Sequence, residues 1–254
     1  MKKESKLNFR ITNSGNLIDF LKKIKLVDKS VILELENNTL FAKVRTPDKS
    51  VIKFVGIDIS DVLEGDSADH RIKIGIMEIN KIIDVFKYFG PEEETFIEIK
   101  AQLVDDEYLA TGLRFYSGTI NISFKCADVS LLSYIEDNIQ QSIHGTSDAI
   151  IGFPISKEAF NKIVSLTGIE NNSEELLNFD VHSEGITIRG NSFQYHLVKG
   201  KSVDGYKKDE TFTIYKNQFS YIDQENSLFC AQENRIVVVS NDSESKIAIG
   251  LVEM

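Results

Sequence analysis

RIKIGIMEINKIIDVFKYFG, residues 71–90, and TFTIYKNQFSYIDQENSLFC, residues 211–230, stand 140 positions apart and follow one plan. Each opens on a short stretch, RIKI or TFTI, with an apolar residue at every second place, the period of a half-buried strand. In the first copy the period then lengthens. Ile79, Ile82, Ile83, Phe86 and Phe89 recur at three and four, which predicts a helix over 77–90 with one apolar stripe, stopped by Gly90–Pro91. The second copy predicts only a short helix over 217–224. Laid together without a gap, Ile82 falls on Ile222, Phe89 on Phe229, and the strand TFIEI (95–99) on RIVVV (235–239).

The same relation extends outward. Residues 14–27 place Leu17, Phe20, Leu21, Ile24 and Val27 on one stripe, behind Asn13 or Ser14 as cap. A shift of 142–143 brings this helix near 156–168, which has Ser156 as cap, Gly168 as stop, and Phe160, Ile163, Val164 and Leu166 inward. Alternating strands are expected at 31–38, 51–59, 71–77, 95–103, 112–118, 120–126, 186–198, 211–215, 235–240 and 246–252. The chain thus reads as two copies of strand, helix, strands, helix, strands. The second copy is expected to be the shorter, ending two strands after its second helix. The fold class is α+β: domain 1 over 1–126, a connector over 127–149 without strand period, and domain 2 over 150–254.

The 254 residues suffice for two cores, and the formal net charge is −10. That charge argues against nucleic-acid binding by the whole surface and permits it at one local basic face. No apolar run reaches the length of a membrane span, and no apolar region follows the charged MKKESK start, so a cytoplasmic, unsecreted protein without membrane partners is expected. Cys126 and Cys230 fit no zinc or redox spacing and are expected as buried thiols. His70, His144, His182 and His196 form no ligand motif. Gly200-Lys201-Ser202 lacks the first glycine of a phosphate loop, since Tyr195 stands there. The acidic runs at 92–94 and 105–107 flank strands and read as solvated turns. No catalytic residue, metal site or cofactor emerges, and the chain is not expected to be an enzyme. What remains is a recurrence: the polar faces of three helices carry Lys22, Lys23, Lys25, Lys81, Lys87, Lys157 and Lys162. Brought to one side of curved sheets, such faces would follow a phosphate backbone without reading bases.

The duplicated unit, the chain length, the acidic balance, the connector and the lysine-bearing helices together resemble the DNA polymerase sliding clamps of the proliferating-cell-nuclear-antigen and phage-clamp type, over roughly 7–254. The resemblance implies curved antiparallel sheets with two helices on one side of each domain. It implies a head-to-tail homotrimer, a six-domain ring around duplex DNA. It makes the seven lysines DNA-facing and the protein a processivity factor that tethers a polymerase. It also implies a groove for short peptides of polymerase and clamp loader, at Val44, Leu131, Leu132, Tyr134, Ile135, Leu251 and Val252. The divergence of the sequence suggests a phage or viral source. The competing reading is a two-domain β-rich viral structural or attachment protein, in which the lysines are incidental.

Overall fold

The computed structural model describes residues 4–68, 70–90, 93–138, 143–169, 175–199, 203, 206–242 and 244–252. It comprises two compact units, Met1–Arg45 with Phe54–Glu136 and Thr46–Lys53 with Asp137–Met254. The division falls inside the stretch read as a connector, and the second unit takes in a short piece of the first half.

The first unit runs β1 (Glu4–Ile11), α1 (Ser14–Lys25), β2 (Val31–Glu36), β3 (Thr39–Arg45), β4 (Val51–Asp58), β5 (Leu63–Gly65), β6 (Ile72–Ile76), α2 (Ile79–Val85), β7 (Phe96–Val104), β8 (Glu107–Tyr116) and β9 (Asn121–Lys125). The strands order as β5-β1-β7-β8-β9 and β4-β3-β2-β6, with a short parallel contact of β6 on β8. Alternation decides what is inside. Leu7 and Phe9, Ile97 and Ile99, and Leu113 and Phe115 face one core. Leu17, Phe20, Leu21 and Ile24 of α1 and Ile79, Ile82 and Val85 of α2 close it. Asn13 caps α1, its side chain accepting from the Asn16 N–H at 3.0 Å. The second helix is shorter than 77–90, because Phe86–Tyr88 tighten into a 3₁₀ turn. Asn37–Asn38 and Asp105–Asp106 take positive φ in two-residue hairpin turns, a role these residue types tolerate.

The second unit repeats the order: β10 (Ile151–Ile155), α3 (Lys157–Thr167), β11 (Leu176–His182), β12 (Gly185–Arg189), β13 (Gln194–Lys199), β14 (Glu210–Tyr215), α4 (Lys216–Phe219), β15 (Ser227–Ala231), β16 (Arg235–Ser240) and β17 (Glu244–Gly250). Its sheets order as β10-β15-β16-β17 and β13-β12-β11-β14. Phenylalanines fill the core: Phe160 of α3 stacks on Phe219 of α4 at 4.5 Å, and Phe229 lies 5.6 Å from Phe153 and 6.0 Å from Phe179.

Strand pairing corrects the ungapped comparison. Phe9 pairs with Ile97, and Phe153 pairs with Phe229, so the counterpart of β7 is β15 rather than β16. Three strands therefore follow α4, as three follow α2; among the described residues the second copy is shorter by one strand, the three-residue β5, rather than by a strand after its second helix. The reason is a shorter passage after α4, which has four residues where 217–224 was expected; loops absorb such length changes at little cost. The expected strand 186–198 is a hairpin, β12 and β13. Strands β1, β3, β5, β10, β11 and β15 were not expected. One ion pair marks the duplication at residue level. Glu34 pairs with Lys43 at 3.1 Å and Asp180 with Arg189 at 2.9 Å. In each unit the cation lies two residues beyond the position opposite the acid, Phe41 or Thr187.

Two predictions test this packing. Phe219→Ala should destabilise the second unit by about 3–5 kcal/mol in chemical denaturation, as expected for a buried ring removed from a closed core. Burial raises the Asp180 carboxyl, but hydrogen bonds from Arg189 and Thr211 and the Arg189 charge outweigh it, so its pKa lies below the ordinary value. The associated stability is present above the unfolded pKa of about 4 and is lost as pH falls through the folded value. Urea midpoints across acid pH should show Asp180→Asn lacking this part of the acid sensitivity.

Candidate functional site

The helices carry the first candidate surface. Burial of their apolar stripes turns the polar faces of α1, α2 and α3 to water. In the first unit, Lys22, Lys25, Lys81 and Lys87 are exposed on or just after two neighbouring helices, and Lys23 is half-buried. In the second unit, Lys157 and Lys162 are exposed on α3. The faces hold more acid than expected. Asp19 lies 3.2 Å from Lys22, Glu78 3.4 Å from Lys81, Asp84 2.6 Å from Lys87 and Glu158 2.9 Å from Lys162. All four pairs are spaced three or four residues along one helix, a spacing legible in the sequence. Asp84 accordingly raises the Lys87 pKa, and Glu158 that of Lys162. Five lysines thus share the helix faces of the first unit with three carboxylates, and two lysines share that of α3 with one, so each face is weakly positive. Lys25 and Lys157 have no carboxylate within ion-pair range among the described residues. Lys216, at the start of α4, is largely covered and pairs with Glu175 at 3.3 Å.

The second candidate is the peptide groove. In the first unit, the chain leaves β9 and the Ala127 N–H donates to the Gly75 carbonyl at 2.9 Å. A 3₁₀ turn at Val129–Leu131 follows, with Leu131 three-quarters exposed. Leu132 lies against Gly75, where a Cβ would meet its Cδ1 at 3.3 Å. Tyr134 sets its ring 4.4 Å from the Lys73 Nζ and 5.2 Å from the Lys43 Nζ, a cation–π clamp on the connector. Ile135 is buried. Val44 does not fit this group: its parity on β3 points it into the core, and Phe41 and Lys43 hold the face toward Tyr134. In the second unit, Leu251 packs on the core and the Val252 N–H donates to the Thr213 carbonyl at 2.9 Å. Both line a cleft of about 1080 Å³ with Lys208, Thr211, Thr213 and Arg235. The cleft's polar walls, which the sequence reading did not name, come from Lys208, from β14 and from the start of β16.

The rejected motifs have structural explanations. Glu93 accepts from the Ser117 and Thr119 hydroxyls and the Gly90 N–H, which hold its carboxyl low. Burial raises the Cys126 thiol to about 11 and the Cys230 thiol in the same direction, which leaves both protonated. Among the described residues no group of acids, histidines and cysteines is arranged to hold a metal, and no helix is long and apolar enough to cross a membrane. Gly200, Lys201 and Ser202 lie outside the described residues. The connector can be tested directly. Leu131→Ser should leave stability within about 0.5 kcal/mol, whereas Ile135→Ala should cost about 2–5 kcal/mol in denaturant titration.

No protein-family model and no curated protein matches the sequence. Solved structures do. The chain is similar to Proliferating Cellular Nuclear Antigen from Entamoeba histolytica, with a TM-score of 0.72 at 9% identity over 97% of this chain and 99% of that one. It is similar to A. fulgidus PCNA, in a structure with the C-terminal region of FEN-1 bound, with a TM-score of 0.68 at 13% identity over 97% and 99%. The beta chain of DNA polymerase III from Streptococcus pneumoniae gives 0.66 at 14% identity, over 98% of this chain and 65% of that one. Nearly the whole chain, through both units, therefore has the fold of the DNA sliding clamps.

Proposed function

We propose that the protein is a sliding clamp, a processivity factor that encircles duplex DNA and tethers a DNA polymerase. The observation that carries this reading is the near-complete match, over both chains, to two PCNA structures, with both units presenting lysines on solvent-facing helices. The weak net charge of those faces supports sliding rather than fixed binding. Each phosphate contact adds affinity that must be lost at every step along the duplex, so a lining with half its lysines neutralised holds loosely. The formal net charge of −10 over the whole chain disfavours DNA on the surface at large. Tethering acts through effective concentration and requires no catalytic group.

Ring closure needs two different complementary edges on one chain. β9 pairs only with β8 and β13 only with β12 among the described residues, so each unit has an edge strand at this place, as it has at β5, β10 and β14. We assign the β9 and β13 edges to head-to-tail contacts in a homotrimer. Partner peptides are assigned to the cleft beside Leu251 and Val252. Internal equivalence supports this. Gly75 and Thr213 hold the same place in β6 and β14, and each accepts from the chain after the last strand of its unit. In the first unit the connector continues across that face; in the second unit the face is the open cleft. H. pylori beta clamp has been solved with a DNA ligase peptide bound, and such a peptide is the kind of occupant expected here.

Sedimentation combined with duplex-DNA retardation at graded salt tests the reading. The expected mass is about three times 28.7 kDa. Duplex association should be weak and salt-sensitive. Lys25→Glu with Lys157→Glu should reduce it several-fold without changing the mass. A strict monomer at high concentration, or DNA association indifferent to both reversals, would sink the proposal.

A further inference from the structure

The face of the β1-β7-β8-β9 sheet that points away from α1 and α2 carries a second basic surface, built by strand register. Asn8, Glu98, Arg114 and Ser123 form one row across the four strands, and Lys6, Lys100, Gly112 and Lys125 form the next. Opposite-facing neighbours on these strands, Leu7, Ile99, Leu113 and Phe124, pack in the core, so both rows face outward. Glu98 is the single carboxylate within these rows and its side chain is 3% exposed. Around it stand Lys6 at 2.7 Å and Lys100 at 3.4 Å, both exposed, and the half-buried Arg114 at 3.9 Å. Lys125 is exposed beyond them, with no carboxylate in ion-pair range among the described residues. One acid cannot neutralise four cations, and cross-strand pairing for stability would need only one of them.

Two details shape the site. Gly112 puts no side chain between Lys100 and Lys125, and a Cβ there would meet the Phe124 carbonyl oxygen at 3.2 Å. The Glu98 carboxylate is sealed from solvent, with the Lys6 Nζ 2.7 Å from its Oε2 and the Lys100 Nζ 3.4 Å from its Oε1. That one acid is taken up by Lys6 and Lys100, and an occupant must therefore bring anionic groups for the cationic charge left over on Arg114 and Lys125. The assignment rests on the clamp reading, which gives duplex DNA the helix faces on the other side of this sheet and leaves this face to protein. An acidic peptide offers side-chain carboxylates.

From this we infer that the sheet face around Gly112 is a docking site for an acidic, Asp/Glu-rich segment of a partner protein, separate from the helix faces and from the cleft beside Leu251. The test uses the full chain and a fluorescein-labelled decapeptide of alternating Glu and Gly, followed by anisotropy at low salt. Lys100→Gln with Lys125→Gln removes two cations and leaves the Lys6–Glu98 pair. It should weaken binding by about tenfold, the sum expected for two screened surface charges. Lys22→Gln with Lys25→Gln, an equal charge change on α1, should leave binding within about twofold by the same screening logic. Because Lys125 lies on an edge strand, Lys6→Gln with Lys100→Gln serves as a second variant with β9 intact, and should weaken binding comparably. Equal affinity in wild type and both sheet variants overturns the inference. So does an equal loss in the α1 variant, which would reduce the effect to net charge. An oligothymidylate of matched charge that binds this face more tightly than the peptide would assign it to single-stranded nucleic acid instead.

Discussion

Each unit rests on one requirement: the inward face of its sheets has to be covered, and two short helices cover it. An isolated helix of seven or twelve residues is marginal in water, and α4 has only four. These helices exist because Leu17, Phe20, Leu21 and Ile24, or Phe160 and Phe219, bury apolar surface against the strands. The same burial decides which side chains remain in water. Lys22, Lys25 and Lys157 are displayed because their opposite faces are consumed by the core. The candidate DNA-facing surface and the core are two sides of the same helices.

Duplication appears in register more than in residue type. Glu34–Lys43 and Asp180–Arg189 occupy matched places and differ in every residue. Lys43 is nearly sealed from solvent while Arg189 is half exposed. The connector accounts for part of that contrast, because Tyr134 lies over Lys43 in the first unit. Burying an ion pair under a cover is costly unless each lone pair is used, and Glu34 is additionally held by Arg71 through its Nε at 2.6 Å. The two units have thus kept one geometry and used it differently: one face covered by the connector, the other left as a cleft.

Electrostatics in this chain is local. The formal charge of −10 describes the far field, whereas screening beyond about 8 Å leaves each face to its own residues. The helix faces are tempered by acids one turn away. The sheet face around Glu98 is not, since a single carboxylate sits among four cations. Counting lysines in the sequence overstated the first surface and passed over the second.

Period-two strands, three amphipathic helices and a duplicated order were all legible in the sequence, because burial of alternate residues leaves its period in the composition of each element. The ion pairs Asp19–Lys22 and Glu158–Lys162 were equally legible, being fixed by helical spacing. Strands such as β1 and β3 were missed although ESKLNFRI and TLFAKVR alternate well. The ungapped comparison laid β7 on β16, because it carries no information about loop length. Which strands neighbour one another was decided only in the tertiary structure, by hydrogen bonds between residues such as Phe9 and Ile97 that lie far apart in the chain. So were the outward turn of Lys6, Lys100, Arg114 and Lys125 onto one face, and the burial of Val44. A side chain's face follows from the parity of its strand, but its neighbours on that face follow from register across strands, which local sequence does not encode.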